Sequence, residues 1–235
     1  MKNIKSYFLT AITLLTEGAV ISVSGAESCI SYMQFPAYAP LPEIPSSPVN
    51  TNEPAIATDW LENMDDGLGK GTTEVGFSLG ASVGSHIFGG AETHDFALAK
   101  LLYGQVISDE MAKDHWYQGH WELLGEVFGG GQFEPGDAYA FGVTPGLRYN
   151  FETGTRWIPF FDAGAGVTAT DIGHPDLGGT FQFNLQTGPG LHFFIDNNTA
   201  ITVQYRFLHI SSAGLERPNN GVNTSACYVG MSWLF

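Results

Sequence analysis

The chain has 235 residues, a formal net charge of −15 and only 9 lysines and arginines. Charged residues make up 14% of it, against about 25% in an ordinary soluble domain. That composition argues against a plain soluble globule and against a nucleic-acid binder, which needs bases to neutralise phosphates. Beyond the N-terminus no apolar run reaches the ~18 residues of a membrane-spanning helix, which excludes a helical multi-span protein. Thirty glycines with 13% aromatics fit a β-rich chain that alternates small and bulky side chains.

Residues 1–26 read as a secretory signal peptide. Lys2 and Lys5 supply the positive start, Tyr7 to Thr16 the apolar stretch (Glu17 interrupts it), and Ser24-Gly25-Ala26 a small-residue cleavage site. Residues 27–70 hold six of the twelve prolines: Pro36, Pro40, Pro42, Pro45, Pro48 and Pro54. Such spacing prevents helices and sheet ladders alike, so the segment is expected to be a periplasmic linker. Cys29 and Cys227 are too few and too far apart for a metal framework.

From residue 71 to 235 the pattern has period two. Val75, Phe77, Leu79, Ala81 and Val83 alternate with Glu74, Gly76, Ser78, Gly80 and Ser82. A second, less regular segment spans Phe96 to Ser108. The third alternates Trp121, Leu123 and Val127 with His120, Glu122 and Glu126; Gly129-Gly130-Gly131 then reads as a turn before the fourth, around Tyr139 to Tyr149. Trp157 to Val167, Phe181 to Phe193, Ile201 to Phe207 and Cys227 to Phe235 complete eight strands, each long enough to cross a membrane at a tilt.

Alternation alone does not say which face is inside. The second face is mostly Gly, Ser, Gln and Asn, with Glu122, Glu126, Arg148, Asp162 and Arg206 able to pair in an interior network. The last strand ends on Trp233 and Phe235. A closed barrel pairs every backbone group without leaving an edge in lipid. The expected fold is therefore all-β: an eight-stranded antiparallel transmembrane β-barrel of the outer membrane of a Gram-negative bacterium.

In such a barrel His209 and Ser211 lie at the extracellular end of the seventh strand, and Asn223 begins the eighth at the same level. All three have the parity of the lipid-facing set. Polar groups there are costly and often functional. Imidazole and hydroxyl two residues apart on one strand face are a pairing that activates a serine nucleophile. The plainer reading is an interfacial girdle of polar residues, and His-x-Ser is by itself a trivial string.

Arg206-Phe207-Leu208-His209-Ile210-Ser211-Ser212-Ala213-Gly214-Leu215, followed by Pro218-Asn219-Asn220-Gly221, resembles the signature of the lipid A 3-O-deacylase family, the PagL type. The resemblance implies an outer-membrane carboxylic ester hydrolase acting on a lipid A acyl ester. It implies that Ser211 is the nucleophile, His209 the base, residue 223 the third member, and Ser212 and Gly214 the oxyanion hole. Two positions depart from the family: Asn223 stands where it has an acid, and Ser212 where it has an asparagine. Glu216 in the loop is the other candidate for that acid.

His86, His94, His115, His120, His174, His192 and His209 show no ligand spacing, so no metal or other cofactor is expected. The expected partners are lipid A, or lipopolysaccharide, and outer-membrane lipid, with no nucleic acid; monomer and homodimer both stay open. The alternative function is a non-catalytic small barrel serving adhesion or envelope integrity.

Overall fold

The computed structural model describes residues 68–235. The expected signal peptide, and all but residues 68–70 of the expected linker, lie outside the described residues. Eight strands follow: β1 Thr73–Gly84, β2 Asp95–Val106, β3 Gly119–Glu134, β4 Ala138–Phe151, β5 Trp157–Thr170, β6 Phe181–Phe194, β7 Thr199–Ser211 and β8 Val222–Leu234. Each pairs antiparallel with its neighbours, and β1 pairs with β8, so the sheet closes into a barrel.

Side chains alternate across the wall as the pleat requires. The apolar set points outward and is exposed, including Phe77, Leu101, Leu123, Phe141, Phe161, Leu185, Val203 and Val229. The polar set points inward and is buried. This inside-out arrangement defines a membrane barrel and rules out a soluble ligand-binding one.

The interior is filled. At its waist Arg148 reaches Glu74 at 2.6 Å, Glu122 at 3.4 Å and Asp162 at 3.5 Å, with its guanidinium over the Phe160 ring. Arg206 pairs with Asp162 at 2.9 Å and Glu126 at 3.1 Å, and Lys100 lies 3.3 Å from Glu126. All five residues read from the sequence as an interior network belong to it. Apolar clusters lie to either side: Leu68, Val106, Ile158, Phe194, Ala200 and Leu234 at the end holding the barrel's termini, and a larger one containing Phe96, Phe128, Leu177 and Ile210 at the other. Leu68 belongs to this packing, so the folded unit begins before residue 71.

The expected turn at Gly129-Gly130-Gly131 is corrected by the fold. All three lie inside β3, paired with Phe141, Ala140 and Tyr139 of β4, and the chain turns at 135–137 instead. A Cβ on Gly130 would strike the Ala97 carbonyl, and one on Gly129 would sit 3.0 Å from the Phe141 ring. Close approach of a neighbouring strand's backbone at Gly130 and of a ring at Gly129, rather than chain reversal, explains these two glycines, whereas a Cβ on Gly131 would meet open space.

Four connections share the end away from the termini: 85–94, 135–137, 171–180 and 212–221. Asp176, fully buried, fastens three of these segments together. Its carboxylate accepts from the Ala91 and Glu92 N–H groups and from His94 Nε2, and its main-chain carbonyl accepts from the Asn220 N–H at 2.9 Å.

Candidate active site

Residues i and i+2 of a strand share a face. His209 and Ser211 therefore both project outward at the loop end of β7, in line with Val203 and Phe207. Antiparallel pairing of β7 with β8 sets Asn223 directly opposite His209. Directly opposed residues have Cβ atoms about 5 Å apart, close enough for side chains to meet.

They do meet. His209 Nε2 lies 3.1 Å from Ser211 Oγ, and His209 Nδ1 lies 2.7 Å from Asn223 Oδ1. Asn223 is 2% exposed although it has outward parity, because loop 85–94 folds over it. Its Nδ2 donates to the Gly89 carbonyl at 3.2 Å, and its own carbonyl accepts from the Ser85 N–H at 2.8 Å. Gly221 lies behind the imidazole, where an added Cβ would come 3.0 Å from His209 Cε1.

The two expected oxyanion donors are placed differently. Gly214 is exposed, with φ +84°, and among the described residues its N–H makes no hydrogen bond. Ser212 is buried, and both of its donors are used inside the loop. Its N–H and hydroxyl reach Asn219 Oδ1 at 2.7 and 2.9 Å, and its hydroxyl also lies 3.1 Å from the Glu216 carbonyl. The Glu216 carboxylate lies against Gly179, whereas Nδ1 of His209 is taken by Asn223.

The surroundings are apolar and mostly open to the outside of the barrel. Ser211 is opposite Phe183 and His209 opposite Leu185 on β6. Phe181 packs edge-on against Phe183, and Phe88 of loop 85–94 edge-on against Phe207. Among the described residues no cluster of three or more metal-ligating side chains occurs.

Sequence reasoning missed Gly89 and Asp176, and quoted Asn219 within the signature without giving it a role. Gly89 and Asp176 lie far from the motif in the chain, and their contribution is a main-chain carbonyl and a loop clamp, neither of which leaves a local pattern. Asn219 carries the ordinary signal of a turn asparagine.

A closed barrel with an apolar exterior, carrying a serine–histidine–amide cluster on that exterior, is a small outer-membrane β-barrel with the polar groups of a hydrolase. The family described as Lipid A 3-O-deacylase (PagL) matches residues 103–232, more than half of the chain. The chain belongs to that family. It is 32% identical over 113 residues to Lipid A deacylase PagL of Pseudomonas aeruginosa PAO1; the matched stretch is 47% of this chain and 62% of that protein's length. Its fold is similar to the crystal structure of the outer membrane enzyme PagL, with TM-score 0.50 and 22% identity over 67% of this chain and 97% of that one. It is also similar to Neisserial surface protein A, with TM-score 0.55 and 15% identity over 71% of this chain and all of that one.

Proposed function

We propose that the protein is an outer-membrane esterase that removes an ester-linked acyl chain from lipid A, at the 3-O position as the family description has it. The loop end faces outward from the cell, which sets the site at the level of the outer leaflet. Ser211 Oγ attacks the ester carbonyl and passes its proton to His209 Nε2. Asn223 Oδ1 accepts the Nδ1–H and holds the ring in plane. The tetrahedral oxyanion is received by the Gly214 N–H, while Ser212, through Asn219, shapes the turn that presents it. One such donor is commonly worth about 3–4 kcal/mol in the transition state. On collapse His209 returns the proton to the departing sugar oxygen, leaving the acyl group on Ser211. Water, deprotonated by the same imidazole, then releases the fatty acid.

The single observation that carries this reading is the unbroken run Ser211–His209–Asn223 on the outer face. Polar side chains on a lipid-facing surface are costly, and where a sequence keeps them there they are commonly functional. Phe181, Phe183 and Leu185 supply an apolar wall for the acyl chain, and an outward site needs no tunnel for a membrane-embedded substrate. Asn223 gives orientation without charge, so the imidazolium is stabilised less than beside a carboxylate. The test is mass spectrometry of lipid A incubated with purified, refolded protein. Loss of one acyl chain with release of the matching free fatty acid is expected; intact lipid A across several acylation patterns would contradict the reading.

A further inference from the structure

We infer that the Gly89 carbonyl, held over the site by Asp176, is a positioning device that fixes the Asn223 amide and through it the tautomer of His209. The inference rests on the catalytic reading of His209, Ser211 and Asn223.

A backbone carbonyl only accepts hydrogen bonds. The group of Asn223 that faces Gly89 must therefore be the NH2, which turns Oδ1 toward His209. An amide oxygen also only accepts, so His209 Nδ1 must carry the proton. In a neutral ring the other nitrogen is then the acceptor, and that nitrogen, Nε2, is the one facing Ser211 Oγ. One main-chain oxygen from a distant loop thus decides which imidazole nitrogen can act as the base. The need is specific to an amide. A carboxylate presents oxygen whichever way it turns, whereas a flipped amide would offer N–H to Nδ1 and select the wrong tautomer, a fault that costs about 10⁴-fold in a serine protease.

Loop 85–94 is built to hold that carbonyl. Gly89 has φ +112°, and a Cβ there would come 2.8 Å from the Asn220 carbonyl, so the loop tip tolerates only glycine. Just beyond it, the Ala91 and Glu92 N–H groups donate to the Asp176 side chain. The Asp176 main chain meanwhile holds Asn220 and Gly221, the residues behind His209. Asp176 touches no member of the triad and so acts as a positioning residue.

The experiment uses full-length protein labelled with 15N-histidine and refolded in detergent micelles. Histidine 15N shifts distinguish a protonated from an unprotonated ring nitrogen, and the His209 signals are assigned by their loss in His209→Gln. Wild type should show Nδ1–H and bare Nε2. Asp176→Ala removes the carboxylate that accepts from Ala91, Glu92 and His94, and Gly89→Ala displaces the carbonyl itself; both lie outside the strands, whose integrity is checked by heat-modifiable gel migration. In each, the His209 pattern should move toward the other tautomer, and kcat should fall about 10²-fold with KM little changed. Retention of the wild-type pattern in folded Gly89→Ala overturns the inference, as does an unchanged kcat there when wild type is active. If wild type cleaves no lipid A yet Gly89→Ala still shifts the tautomer, the positioning inference stands and the esterase reading falls.

Discussion

Asn223 Oδ1 lies 2.7 Å from His209 Nδ1, and the opposite end of the same amide lies 3.2 Å from the Gly89 carbonyl. The Asn223 side chain is thus held at both ends. From the sequence alone, Asn223→Glu restores the missing charge and raises the rate. With Gly89 in place it also brings a carboxylate against a carbonyl oxygen in a site that is nearly dry. We expect Asn223→Glu to be slower than wild type, and Asn223→Ala to lose less than either His209→Ala or Ser211→Ala. Initial rates of acyl release from lipid A decide it; a faster Asn223→Glu enzyme would show that charge at this position outweighs orientation.

The Asp176 clamp has a predictable response to acid. Burial pushes its carboxyl up, but the Ala91 N–H, the His94 ring and the Glu92 N–H together outweigh burial and hold it below its ordinary value. A carboxylate held down in the folded state adds stability above its unfolded pKa and loses it as pH falls through the folded one. The clamp should therefore be intact at neutral pH and persist through the range, near 3.9, where ordinary aspartates protonate. The amide proton shifts of Ala91 and Glu92 report it directly. They should titrate below that range; a midpoint at or above it would contradict the assignment.

The ionic waist should set the barrel's stability rather than its chemistry. Arg148 is buried among Glu74, Glu122 and Asp162. Removing one side of such a group strands the other and typically costs about 3–5 kcal/mol. Arg148→Gln should lower the temperature at which the compact gel form converts to the extended one. The folded fraction should keep its rate of acyl release, and an unaltered conversion temperature would mean that the pairs contribute nothing net.

The boundary of the barrel is testable by deletion. Leu68 is buried in the apolar cluster at the terminus end, and Lys70 pairs with Asp109 at 3.1 Å. Deleting 27–66 should leave refolding yield and activity at wild-type levels. Deleting 27–70 should destabilise the barrel by about 1.5–3 kcal/mol, the worth of one buried leucine, read from urea unfolding. Equal stability of the two would place the boundary after residue 70.

The strands were legible in the sequence because membrane and interior impose opposite chemistry on alternate residues, so Val75 to Val83 or Ile201 to Phe207 announce both strand and face. That His209, Ser211 and Asn223 share a face and a level was legible for the same reason, since all three break the outward apolar pattern; what they do together is not written in that pattern and rests on the resemblance of 206–221 to the family signature. Gly129–Gly131 misled because glycine marks turns and crowded strands alike, and only pairing with β4 separates the two. Gly89 and Asp176 could not be read. Their effect runs through main-chain groups and contacts between segments up to 134 residues apart, which no local periodicity records.

The most direct measurement of the central claim is lipid A mass spectrometry with wild type and Ser211→Ala side by side, both confirmed folded by heat-modifiable migration. That substitution removes one hydroxyl at the rim and no core volume. Wild type should remove one acyl chain, and Ser211→Ala should leave lipid A intact, because His209 then has no hydroxyl to activate. Deacylation by Ser211→Ala at the wild-type rate would contradict serine catalysis at this site.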